Sequence, residues 1–144
     1  MFKDFDGTVI VEVIQFEETV KMKLPNDYKE FLLDTNGGQF TDEIHLFWVD
    51  ELKENIGMDV FFGFNQARSL CLYDWYNEYA VELPEETVII GYSINAGLIL
   101  LIWQEEWKGV FLWDHCLELE QSTEEDCLYL ISDTFEEFLN ALQI

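Results

Sequence analysis

The sequence predicts an α+β fold: an antiparallel β-sheet meander packed with N-terminal, central and C-terminal helices. Three observations predict it. The stretch Leu24 to Gly38, LPNDYKEFLLDTNGG, is a short helix with its own start and stop signals. Three short apolar runs follow Pro84, and a polar, glycine-ended turn joins the second to the third. An amphipathic segment over 135–142 then closes the chain. Strands do not alternate with helices, which excludes a parallel doubly wound sheet. With 144 residues and no internal repeat, low-complexity tract or linker, the chain is most simply one domain, 1–144. A domain of that size buries roughly 68–70% of the surface its unfolded form exposes, enough for a core.

The first element spans residues 9–20. Val9, Val13, Phe16 and Val20 fit helical spacing, with Thr8 at the cap position, whereas the β-branched run VIVEVI favours a strand. The spacing decides for a helix. The second helix covers 25–36. Pro25 suits the first helical position, and Asp27 puts a carboxylate near the positive end of the dipole. Leu24, Tyr28, Phe31 and Leu32 form its apolar stripe, and Asn36-Gly37-Gly38 tolerate the positive φ that ends it.

Ile44 to Val49 reads as a buried strand. Residues 50–63 read as a loop with a helical turn near Glu51–Asn55. Residues 65–80 read as a longer helix with Ala67, Cys71, Trp75 and Tyr79 on its apolar face. Beyond Pro84, strands are predicted at Thr87–Tyr92, Leu98–Trp103, Val110–Trp113 and Leu128–Ile131, with Gln104–Gly109 as a hairpin connection. Asp133 and Glu136 form a capping box for the last helix, and Phe135, Phe138, Leu139 and Leu142 form its stripe.

Charge narrows the function. Thirty acids against seven bases leave a formal net charge of -23. Nucleic acid needs the opposite sign, and an anionic membrane repels this one. A basic partner is the complement. The aromatic content of 16% excludes a disordered acidic tail. The N-terminus carries Asp4, Asp6 and Glu12 where a signal peptide needs a basic start and an apolar run. Cys71, Cys116 and Cys127 are few, odd in number and widely spaced, which fits reduced, buried thiols and a cytoplasmic location.

No catalytic, cofactor or metal site is predicted. The adjacent acid pairs, such as Glu17-Glu18 and Glu136-Glu137, say nothing about two carboxylates facing each other across a cleft. His115 and Cys116 are neighbours that a strand points to opposite faces. His45, Cys71, His115, Cys116 and Cys127 show no zinc-ligand spacing. Gly37-Gly38 follows a helix instead of preceding one and lacks the lysine of a phosphate loop.

Two motifs occur in order: Leu24-Pro25-Asn26-Asp27-Tyr28-Lys29-Glu30-Phe31-Leu32 ending at Asn36-Gly37-Gly38, and Gly109-Val110-Phe111-Leu112-Trp113-Asp114-His115 followed by Ser132-Asp133-Thr134-Phe135-Glu136-Glu137-Phe138-Leu139. Together with the other elements they cover roughly residues 9–142, and on them the chain resembles the SUKH superfamily of bacterial immunity proteins and a yeast cell-wall-synthesis regulator. It departs at Gly91–Gly97, GYSINAG, where the family usually shows a more glycine-rich turn with an acid. The resemblance implies a small α+β domain. Such a domain binds and neutralises a cognate toxin, commonly a nuclease. A regulatory or scaffold role without a toxin is the alternative.

Candidate partner contacts follow from charge and loop position. Glu82, Glu85, Glu86, Glu105, Glu106 and Asp114 are the acids expected to face a basic toxin, with Trp107 as aromatic anchor. Trp113-Asp114 has two readings: a core tryptophan followed by a strand end, or an acid lining a partner-facing concavity. An aromatic on a charged loop, as in Gln104–Gly109, marks the best local interface.

Overall fold

The computed structural model describes residues 1–144. The order is β1 (Phe2–Asp4), α1 (Ile10–Val20), α2 (Asn26–Thr35), β2 (Gly38–Phe40), β3 (His45–Val49), β4 (Glu54–Met58), β5 (Val60–Phe61), a 3₁₀ turn (Arg68–Leu70), α3 (Leu72–Tyr79), β6 (Thr87–Ser93), β7 (Gly97–Trp103), β8 (Lys108–Trp113), β9 (Leu128–Ser132) and α4 (Phe135–Leu142). The fold is α+β. Seven strands form one antiparallel sheet in the order β1-β2-β5-β6-β7-β8-β9, and β3 and β4 form a separate antiparallel pair.

Cross-strand neighbours share a face, so the register shows what each face carries. Phe61, Gly91, Ile99, Leu112 and Tyr129 form one row. On that face Phe61 meets Phe31 of α2 at 4.9 Å and Phe135 and Phe138 of α4 at 5.9 and 5.8 Å. The next row, Tyr92, Leu98 and Trp113, points the other way. There α3 lays Trp75 against Tyr92 at 6.3 Å and Tyr79 against Trp113 at 5.5 Å. Phe16 of α1 packs on Phe64 and Tyr73 at 5.4 and 5.1 Å. These contacts join one cluster of buried apolar side chains.

The two sequence motifs meet in space. The Asp27 carboxylate accepts the N–H of Glu136, in the first turn of α4, at 2.9 Å. Tyr28 lies edge-on to Phe135 at 4.9 Å. A buried carboxylate also fixes the α1–α2 connection: Glu17 accepts the Leu24 N–H at 2.7 Å, with Lys29 Nζ at 3.9 Å.

Several boundaries shift. Helix wins over strand at 10–20, but Val9 is the N-cap, and the Thr8 hydroxyl donates to Glu12 at 2.9 Å. Pro25 is the N-cap of α2, so the helix starts at Asn26, one position later than expected. Thr134 caps α4 by accepting the Glu137 N–H, so the capping role sits one residue beyond Asp133. The helix expected over 65–80 shortens to 72–79, because Cys71 is extended and bridges Gly63. Strands β1 and β2 are additional to the expected set. So are β4 and β5, which lie in the expected loop at 50–63; there Ile56 and Met58 are buried at period two, a pattern masked by the weak strand formers Asn55 and Gly57. Ile44 to Val49 is not a buried strand. Phe47 and Val49 point in, while Leu46 and Trp48 point out.

Candidate partner interface

The rim of the sheet gathers most of the acids expected to meet a partner. The β7–β8 hairpin closes with the Gln104 N–H donating to the Trp107 carbonyl at 3.0 Å. Glu105 and Glu106 are its exposed tip. Two hydrogen bonds tie this tip to the chain entering β6. Gln104 Nε2 donates to the Glu85 carbonyl at 2.8 Å, and the Trp103 N–H donates to the Glu86 carbonyl at 3.0 Å. Both Glu-Glu pairs therefore stand at one end of the sheet. Glu86 holds φ at 53°, the left-handed region, and this turn brings the chain into β6.

Glu85 and Glu86 line an open cleft of about 290 Å³ with Lys21, Tyr76 and Leu83. Glu82 is exposed in the turn after α3, where its N–H donates to the Tyr79 carbonyl. Trp107 is 39% exposed, and its inner edge packs on Phe111 at 5.7 Å. None of Glu82, Glu85, Glu86, Glu105 and Glu106 enters an ion pair. Two cations stand at this end: Lys21, which shares the cleft with Glu85 and Glu86, and Lys108, which sits over the Trp103 ring at 4.9 Å.

Asp114 does not join them. Strand β8 runs from Lys108 beside the hairpin tip to Trp113 at the far end, and Asp114 follows. Its side chain is only 1% exposed. Its two oxygens accept the N–H groups of Glu118 and Leu119 at 2.9 and 2.8 Å. Burial alone would raise the carboxyl. The hydrogen bond from Ser122, those from Leu119 and Glu118, and the neighbouring His115 outweigh it and hold the group below its ordinary value. Asp114 therefore stands apart from the rim acids with which it was grouped: its buried carboxylate anchors the loop between β8 and β9. Trp113 follows its core reading in part, half-buried against Tyr79.

Asp114, with Trp75, Tyr92, Leu98 and His115, lines a second open cleft of about 280 Å³, away from the rim acids. Cys71, Cys116 and Cys127 are free but not buried as expected: Cys116, in the loop after β8, is exposed, and Cys71 and Cys127 are half-buried. No group of three or more His, Cys, Asp or Glu side chains lies close enough to hold a metal ion. No helix is long and apolar enough to cross a membrane.

One exposed aromatic escaped the sequence reading. Trp48 is 47% exposed and its indole N–H points to Asp50 at 3.3 Å. Lys53, hydrogen-bonded to the same carboxylate at 2.9 Å, and Trp48 together hold Asp50 below its ordinary value. The signal was present: Leu46 and Trp48 alternate with Phe47 and Val49. A run of five apolar or aromatic side chains out of six nevertheless reads as buried on both faces.

The model of the SMI1 / KNR4 family (SUKH-1) matches residues 10–141. No curated protein matches the chain. The match spans α1 through all but the last helical residue of α4, including both motifs and the contact between them. The chain belongs to the SMI1 / KNR4 family (SUKH-1), whose members are often immunity proteins and are generally non-catalytic.

Proposed function

We propose that the protein is a cytoplasmic immunity protein that binds a cognate basic toxin domain, a nuclease, and neutralises it by stoichiometric occlusion. The observation that carries this reading is the rim itself: Glu85, Glu86, Glu105 and Glu106 project from one end of the sheet without ion-pair partners, beside a part-exposed Trp107. In the mechanism proposed, these carboxylates occupy the groove where the toxin holds phosphates, and Trp107 supplies the desolvated anchor. Glu82 lies on the flank of the same surface. The formal charge of -23 steers encounter with a cationic partner. Association then approaches roughly 10⁸–10⁹ M⁻¹s⁻¹ at low salt and slows as salt rises. Close charge pairs at such an interface couple by about 1.5–7 kcal/mol.

The test is co-expression with the C-terminal domain encoded by the adjacent open reading frame. The reading predicts rescued growth and a co-eluting one-to-one complex. Continued toxicity, with stable capture of a housekeeping protein in its place, contradicts it and favours the regulatory scaffold.

A further inference from the structure

An apolar band begins at Trp107 and crosses the sheet to the β3–β4 pair. Trp107 packs on Phe111 at 5.7 Å. Phe111 is the cross-strand partner of Leu130 on β9. Both side chains crowd the missing side chain of Gly109, where a Cβ would lie 2.9 Å from Leu130 and 3.2 Å from Phe111. Leu130 and Trp48 then line one cleft of about 360 Å³ between β3, β9 and α4. Leu46 shares the outward face of β3 with Trp48, opposite Gly57, which has no side chain to cover it. The exposures are large: Leu46 44%, Trp48 47%, Leu130 40% and Trp107 39%. Isolated apolar residues on a surface are ordinary, but a connected row is a mark of an interaction site.

Charge identifies the occupant. The row is edged by Glu105 and Glu106 at the hairpin, by Asp133 and Glu137 in the cleft, and by Asp50 at the Trp48 indole. Of the cations near it, Lys53 is paired with Asp50 and Lys108 sits over the Trp103 ring. A second copy of this chain would bring the same acids, and another formal -23, against this edge. A basic partner with an apolar centre meets both requirements, because interfaces place apolar anchors at the centre and charge on the rim.

We infer that the band Trp107–Phe111–Leu130–Trp48–Leu46 is the desolvated centre of the interface that holds the basic partner, and that Trp48 is its second aromatic anchor. This rests on the immunity reading above and extends its contact surface from the hairpin to β3. Contacts made only after docking act on dissociation, whereas rim charges act on encounter and its salt dependence. The two parts of the surface are therefore separable.

The experiment measures binding of the full chain to the C-terminal domain encoded by the adjacent open reading frame, for wild type, Trp48→Ala, Leu130→Ala and Trp48→Glu. Urea melts check that each variant keeps its fold. The expected result is a Kd at least about 30-fold weaker for Trp48→Ala, carried by faster dissociation, with the salt slope of association unchanged. Trp48→Glu adds a favourable charge but removes the apolar contact, and the band predicts that it also weakens binding. Wild-type affinity in all three variants, or tighter binding by Trp48→Glu, overturns the band and leaves the immunity reading standing. Wild-type self-association that Trp48→Glu abolishes overturns it in favour of a second copy. No wild-type complex at all overturns both.

Discussion

Asn36 ends α2 with φ at 58°, and its side chain does more than tolerate that angle. Its amide donates to the Phe64 carbonyl at 2.9 Å and accepts the Phe64 N–H at 2.8 Å, in a site 4% exposed. It stands in for a neighbouring strand. Asn36→Ala leaves the Phe64 N–H buried and unpaired, while the Phe64 carbonyl keeps the bond from Gln66 Nε2 at 3.0 Å, and we predict a loss of about 1–3 kcal/mol in urea denaturation. Full stability in that variant would contradict the pairing. Asp114 makes a prediction against pH. Its carboxyl lies below the ordinary value of 3.8, so the unfolded chain takes up its proton first as pH falls. Its contribution is therefore complete above about pH 5, shrinks below pH 4, and vanishes once the folded carboxyl is protonated. Asp114→Asn should cost the same stability at pH 7 as at pH 5.5, and progressively less below pH 4, in parallel urea melts. The sequence showed Asn36 as a residue for positive φ, since that preference is local. It did not show the Phe64 pairing, 28 residues away, or the closure of the 114–119 loop around Asp114. An aspartate after a strand looks the same whether it faces a partner or its own backbone.

At the scale of elements, local signals succeeded where one face was apolar and the period was clear. The stripe of α2 is buried, that of α4 is buried except for the half-buried Leu139, and β6 to β9 pair in the predicted order. Strands β1 and β2, three residues each, are too short to show a period. They exist through pairing: Phe2 with Phe40 and Asp4 with Gly38. The shortened α3 has the same cause, because Gly63 claims Cys71 for a bridge that a helix would forbid. The β7–β8 hairpin was legible, since QEEWKG puts two acids and an aromatic between apolar runs. Its tie to the Glu85 and Glu86 carbonyls was not, because backbone acceptors carry no sequence signature. The hairpin carries the third prediction. Reversing Glu105 and Glu106 together to Lys removes two negative charges and adds two positive ones. Stopped-flow association with the toxin domain should slow, and its dependence on salt should flatten. Unchanged kinetics would remove this loop from the interface.

For the molecule as a whole, the charge excess and the apolar band belong to one surface argument. A net charge of -23 repels the chain from itself and from other copies. Composition revealed that excess directly. It did not reveal that Glu85, Glu86, Glu105 and Glu106 share one end of the sheet, because that depends on which strands are neighbours. Nor did it reveal that Leu130 and Trp48, 82 positions apart, line one cleft. The most direct measurement is titration of the purified chain with the basic domain encoded beside it, at several salt concentrations, with the toxin's activity read in parallel. The account predicts a one-to-one complex that abolishes the activity and associates more slowly as salt rises. An active toxin at saturating protein, or association indifferent to salt, would contradict it.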